Sequence, residues 1–244
     1  MQRYTSGLGK VSVWNDDPVG GNQAGYVYGG DLQGNLFRFD INSAAPATFG
    51  QGAVMTFVQF GATQPITTAP VLGDINSKRV VFIGTGKYLE TSDLITTTVQ
   101  SEYAIQDDNV TTTLTNPRAT LVQQTLINSV GSGTRTVTGS TVNWNTGRGW
   151  YFDLPDSGER VNLEAKLISG VLVIPSIVPS NTVCAPGGYG WLNFVDYNTG
   201  LTVTGLNIAG VKYDSTIVGI NEVKLPPAKP VAYWVSASKA LVKP

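Results

Sequence analysis

The chain has 244 residues, enough for one large domain with its own core, and its formal net charge of -1 comes with no basic stripe, which excludes nucleic acid and anionic membrane surfaces as partners. Glycine fills 28 positions and charged residues only 14%, against a usual share of about a quarter, the make-up of a loop-rich β protein of the exported or surface kind. No run of 18 apolar residues exists to span a bilayer, and the absence of histidine removes Ser-His-Asp and Cys-His mechanisms, histidine zinc sites and the commonest general base.

In chain order, residues 1–7 lack an apolar signal-peptide core and read as the interior of a longer polypeptide carrying a start methionine. Residues 27–40 read strand, two-glycine corner, strand. Gly29, Gly30 and Gly34 are expected to take positive φ at the corner, with Asp31 and Asn35 bonding the turn through their side chains. Val80-Val-Phe-Ile83 leads into the corner Gly84-Thr-Gly86, and a short helical turn is expected at 86–93. Ser101-Glu-Tyr-Ala-Ile-Gln-Asp107 and Gly190-Trp-Leu-Asn-Phe-Val-Asp196 repeat the alternation that ends at Asp40. β-branched runs predict strand at 96–99, 111–115, 134–142, 171–174 and 201–206.

A hairpin of this kind cannot bury its apolar face alone, so it asks for stacked copies. The fold class that follows is all-β, a β-propeller of which the chain holds three to four blades. The expected core is Leu36, Phe39, Val81, Ile83, Tyr103, Ile105, Leu172, Ile174, Leu192 and Phe194. The Asp anchors at 40, 107 and 196 stand farther apart than a typical repeat, so long insertions must lie between strands. One spans 109–144, is rich in Thr and Ser, and reads as a hairpin that leaves the body of its blade and contributes little to the core, so that 111–141 can give way to an Asn-Gly turn with loss of surface contact but not of fold; the alternative is an insertion that packs over the propeller rim. A second, 175–189, reads as a loop around the lone Cys184, an inert thiol or one paired outside this chain. Prolines break any element at 225–230, and the residues from Val231 onward read as a closing strand.

Candidate chemistry is sparse. Asp153, Asp156, Glu159 and Arg160 flank Pro155 and Gly158, and a glycosidase would need two such carboxylates facing each other across a cleft, but the stretch reads as a solvated turn. Asp107-Asp108 reads as a strand end, and Gly84-Thr-Gly86-Lys87 lacks the spacing of a phosphate loop. Five tryptophans are as many as a quinone floor needs, yet they sit where blades bury aromatics, and no metal-ligand cluster accompanies them.

Three separated groups of motifs resemble the β-propeller domain of the PilC/PilY family, proteins associated with type IV pili. They are Gly30-Asp-Leu-Gln-Gly-Asn-Leu-Phe-Arg-Phe-Asp40; Gly84-Thr-Gly-Lys-Tyr-Leu-Glu-Thr-Ser-Asp-Leu94; and, from Gly149-Trp-Tyr-Phe-Asp-Leu-Pro155, the run through Gly158-Glu-Arg-Val161 and Cys184-Ala-Pro-Gly-Gly188 to Gly200. The resemblance implies a C-terminal portion, 1–244, of a modified seven-bladed propeller with quinoprotein-like blades. It also implies an exported, pilus- or outer-membrane-associated protein that supports pilus assembly, opposes retraction and acts in adhesion, with pilins or minor pilins and host or abiotic surfaces as partners. A family calcium loop precedes the glycine-aspartate corner; here only Asp17 keeps a carboxylate in register, and a shifted register recruits Asn15, Asp16 and Asn22 beside Gln23. Such a loop offers too few charged oxygens, so no Ca2+ site or other cofactor is expected from Asp16, Asp17, Asn22 and Gln23. The function expected is a non-enzymatic adhesin module. The alternatives are a quinoprotein-like or carbohydrate-active enzyme fragment, and a propeller piece with a purely structural role.

Overall fold

A computed structural model describes residues 6–15, 24–41, 53–109, 111–180 and 187–214, and the backbone of two further short strands. Three four-stranded antiparallel units follow one another along the chain. Blade A consists of β1 (Leu8–Asn15), β2 (Ala24–Asp31), β3 (Asn35–Asp40) and β4 (Val54–Gln59). Blade B uses β5 (Val71–Ile75), β6 (Lys78–Gly84), β7 (Ser101–Asp107) and, after a long excursion, β10 (Gly149–Asp153). Blade C is β11 (Lys166–Ile168), β12 (Val171–Pro179), β13 (Gly188–Asp196) and β14 (Gly210–Tyr213). The first strands touch around a common centre, β5 against both β1 and β11, which is the propeller arrangement the sequence predicts. A separate hairpin, β15 (Glu222–Lys224) with β16 (Val231–Tyr233), places a strand where the closing one is expected.

Blade B is buried on both faces, which explains why its strands read as unbroken apolar runs. Val81, Ile83, Tyr103, Ile105 and Tyr151 pack toward blade A with Tyr28, Leu36 and Phe57. Their neighbours Val80, Phe82, Ala104, Trp150 and Phe152 pack toward blade C with Leu172 and Ile174. Trp150 and Phe152 stack with centroids 5.7 Å apart, and each fully buried ring contributes about 1.5–3 kcal/mol.

Two of the ten expected core residues, Phe39 and Phe194, are only partly buried. Phe39 shares a face with Phe37, opposite the one that carries Leu36, because positions of opposite parity cannot point the same way. That outer face of blade A is apolar, with the cross-strand row Val13, Val27, Phe39, Val54, and Val13 is 55% exposed. Phe194 lies on the far face of blade C, partly buried against Val171 and Val173.

The glycine corner also works differently from the expectation. Gly34 alone takes positive φ, at 73°, while Gly29 and Gly30 are ordinary strand residues. Gly30 is needed for close approach: a Cβ there would meet the Ile66 side chain at 2.2 Å. The helical turn forms slightly later than expected, as a 3-10 turn at Thr91–Ile95. Strand is absent at 96–99, 111–115 and 201–206, and the run expected at 134–142 ends at Thr138. Within the segment 175–189, expected as a loop, β12 runs on to Pro179 and β13 begins at Gly188, while residues 181–186 lie outside the described residues. Pro175 is tolerated inside β12 because its alternate neighbour Ile177 turns its amide to Arg160, away from β13, so the missing N–H lies on the sparsely paired edge.

The largest correction concerns the insertion. It folds as β8 (Val122–Ser129) and β9 (Thr134–Thr138), turning at Gly131 and Gly133, both of positive φ. β8 pairs in parallel with β10 at the outer edge of blade B, and β9 pairs with β14 at the outer edge of blade C. One continuous sheet of ten strands results, and neither outer edge is left open. Leu121, Leu126, Val137, Trp144 and Arg135 of this segment are buried, so it belongs to the core it was expected to leave.

Candidate functional site

Turns between second and third strands, and links between successive blades, converge at one end of the blades. Asp31 Oδ1 accepts the amides of Gln33 and Asn35 at 2.9 and 2.8 Å, and Asn35 Nδ2 donates to its other oxygen, which builds the tight turn as predicted. The linker after blade A packs on this turn and then on blade B: Gln64 accepts from Thr85 Oγ1 and Tyr103 Oη, and Gly86 N–H donates to the Pro65 carbonyl. The loop 85–100 is held from within by Asp93, which accepts the amides of Leu89 and Glu90 and pairs with Lys87 Nζ at 3.1 Å. Burial works against that charge, but these bonds hold the Asp93 carboxyl below its usual range.

Arg160, on the link between blades B and C, fastens the same loop from below. Its guanidinium donates to the carbonyls of Gly158, Lys87, Asp93 and Thr96 at 2.7–3.1 Å. Two clefts flank it. One of about 190 Å³ lies toward blade A and is lined by Thr63, Lys87, Asp93 and Gln100, and one of about 270 Å³ lies toward β12.

Beneath this surface the charged side chains are consumed in joints between blades. Asp107, fully buried, accepts from Tyr28 Oη, Arg38 (2.6 Å) and Arg79 (3.3 Å), so it ties blade B to blade A instead of merely ending a strand. Burial and the Asp107 charge push the Tyr28 hydroxyl pKa far up, which keeps it a neutral donor. Glu159 is fully buried and takes a two-pronged bond from Arg135, 2.7 Å on each arm, together with the Ser176 hydroxyl. Arg135 also lies 3.7 Å over the Trp191 ring and donates to Asn128 and Asn193. Asp156 accepts from Trp191, Tyr189 and Asn128. Burial opposes its ionisation, yet those bonds and the Arg135 charge keep its carboxyl low, and burial with the Asp156 bond pushes the Tyr189 hydroxyl up to about 12. The solvated turn expected at 154–159 is therefore a hub: Glu159 is interior, and the flanking Asp153 pairs with Arg118 at 2.6 Å while Arg160 is buried.

Glu102 stands apart. It is fully buried on β7, facing blade C, and neither carboxylate oxygen has a hydrogen-bond partner. Burial pushes its pKa well up, and Gly84 makes room for it, since a Cβ there would lie 2.7 Å from its Oε2.

Asp16, Asp17, Asn22, Gln23 and Cys184 lie outside the described residues. Among the described residues no group of three acidic or thiol side chains is placed to hold a metal ion. Gly84-Thr-Gly86 packs against Val161 and Arg160 as a close corner. Trp150 and Trp191 are blade core, stacked on Phe152 and covered by Arg135, as the packing alternative for the tryptophans holds. Arg135 and Glu159 went unrecognised as a pair. The available signal was parity: Arg135 occupies the same face of its strand as buried Val137.

Comparison with known proteins places this arrangement. A family model described as the PilY1 beta-propeller domain matches residues 5–136. The type IV pilus biogenesis factor PilY1 of Pseudomonas aeruginosa PAO1 is 33% identical over 226 residues, covering 72% of this chain and 19% of that protein. A type IV pilus biogenesis factor PilY1 homolog of Xylella fastidiosa is 29% identical over 80% of this chain and 14% of its own length. The chain thus spans about a fifth or less of these relatives. The crystal structure of the Pseudomonas aeruginosa PilY1 C-terminal domain superposes with a TM-score of 0.70 at 23% identity, over 99% of this chain and 62% of that one, and confirms the propeller fold.

Proposed function

Because the chain belongs to the PilY1 β-propeller family, we propose that it is a non-enzymatic binding module of a type IV pilus biogenesis factor, carried outside the cell in association with pili. The observation that carries this reading is the 33% identity, over most of the chain, to a protein named for that role. In this reading the module supports pilus assembly, restrains retraction and contributes to surface adhesion through contacts with pilins, minor pilins and host or abiotic surfaces.

The distribution of polar groups supports binding over catalysis. Glu159, Asp107 and Asp156 are saturated by donors that also join blades, so using one as an acid or base would loosen the fold that presents it. What faces outward is a loop surface fixed from beneath by Arg160, with Leu89 63% and Ile95 71% exposed, a rigid arrangement suited to docking. No helix among the described residues is long and apolar enough to cross a membrane.

The test is retention of minor pilins and sheared pili from the same bacterium on the immobilised, folded chain. Saturable retention that a heat-unfolded sample lacks is expected. Equal retention by folded and unfolded chain, or none by either, refutes the reading.

A further inference from the structure

Arg160 is a buried cation without a carboxylate against it. The residue is 3% exposed, and every acceptor its side chain touches is a neutral backbone carbonyl. Burial lowers its pKa, and the nearest opposing charge, Asp93, is already engaged by Lys87 and two backbone amides. Four of the five guanidinium N–H groups are accounted for, and the fifth is on Nη2. Nη2 is close to Gly158, where an added Cβ would lie 3.6 Å from it, and Gly158 lines the cleft of about 270 Å³.

The walls of that cleft match the cation. Thr96, Thr97, Ser157 and Ser180 supply hydroxyls, Ile95 and Pro179 supply an aliphatic rim, and among the described residues no carboxylate lines it. Asp156, the neighbour of Ser157, is held by Trp191, Tyr189 and Asn128. A partly desolvated guanidinium bonds a carboxylate more strongly than it bonds amide carbonyls, and hydroxyl donors around it complete the shell.

We propose that this cleft binds a carboxylate carried by a partner polypeptide, an Asp or Glu side chain or a chain terminus, with Arg160 as its counter-cation. The volume admits one or two side chains. The exposed Ile95 gives the neighbouring residue of the partner an apolar seat, and among the described residues no aromatic ring lines the cleft to stack a sugar acid. The site rests on the reading of the chain as a binding module and names the chemistry of its partner.

The experiment titrates the 15N-labelled whole chain with four probes: acetyl-Ile-Glu-Ile-amide, its Gln counterpart, acetyl-Ile-Ala-Ile with a free carboxyl terminus, and glucuronate. The amides of Thr97 and Gly158 and the Arg160 Nε–H report binding. Saturable shifts are expected with the glutamate or free-terminus peptide, the two arms separating side chain from terminus, and at least tenfold weaker binding with glutamine. Ser157 is exposed, so S157D places a competing carboxylate at the mouth without touching the core and is expected to weaken binding at least tenfold, whereas S157N, which gives up the hydroxyl but keeps a neutral donor there, is expected to weaken it several-fold less than S157D. Equal affinity for the Glu and Gln peptides, no saturable shift with any peptide, binding of glucuronate alone, or an S157D variant that binds normally overturns the proposal. If S157D fails to fold, the Glu against Gln comparison on the unaltered chain decides. None of these failures touches the pilus reading, which the retention of sheared pili tests separately.

Discussion

Replacing Arg135 with Met tests the joint between the hairpin and blade C. The substitution leaves the fully buried Glu159 with only the Ser176 hydroxyl and the Asp156 amide, after removing two 2.7 Å charge-assisted bonds and the contact with Trp191. Stranding one partner of a buried ion pair costs about 3–5 kcal/mol, whereas replacing both partners by apolar groups of similar volume is often neutral. R135M is therefore expected to lose about 3–5 kcal/mol, which at a urea m-value of about 3 kcal/mol/M lowers the midpoint by roughly 1–1.7 M. The double variant R135M/E159M is expected to recover most of that loss. Urea unfolding followed by tryptophan fluorescence reads both values. A loss below about 1 kcal/mol in R135M, or a double variant as damaged as the sum of the two singles, refutes the reasoning that this pair is an interior joint.

Excising residues 111–141 behind an Asn-Gly turn removes Leu121, Leu126, Arg135 and Val137 and reopens two sheet edges, so loss of cooperative unfolding is expected; a circular-dichroism melt as sharp as that of the intact chain contradicts this. Burial raises the Glu102 pKa, so the folded state keeps its proton over a pH range in which the unfolded chain gives it up; stability is fully present below the usual glutamate value of about 4.3 and declines as pH rises toward the raised one. E102M is expected to gain about 1–3 kcal/mol near pH 8 and to flatten the profile, and a variant less stable than the parent at pH 8 sinks the assignment. The outer face of blade A, with Val11, Val13 and Val54 each close to half exposed, predicts association and binding of a hydrophobic dye; a dye-silent monomer argues against it. Calcium at micromolar levels is expected to produce no heat of binding, and tight binding abolished by D17A reverses that expectation.

Much of the propeller was legible because blade B buries both faces: Val80-Val-Phe-Ile83 and the alternation up to Asp107 leave little choice but a central strand. The Asp31 turn was legible for a similar reason, since its bonds span four residues. That the insertion forms a hairpin was legible, but its packing into the core was not, because its Thr and Ser side chains alternate with too few apolar ones to announce a core. Its inward face is completed by Arg135, whose partner Glu159 lies 24 residues away, and only tertiary contact pairs them. The same limit hid Arg160, which acts on carbonyls of a loop more than 60 residues earlier in the chain. Gly30 was noticed for the wrong reason: a glycine that admits Ile66 looks identical in sequence to one that admits positive φ.

The central claim is that this propeller segment is needed for pilus biogenesis. The most direct test deletes the chromosomal gene in the bacterium that encodes the chain and restores it with or without residues 6–214, then measures pilin in the sheared surface fraction. Restoration by the intact copy, with less than a tenth of that pilin from the copy lacking the segment at equal protein level, is the predicted result. Equal surface pilin from both copies contradicts the account.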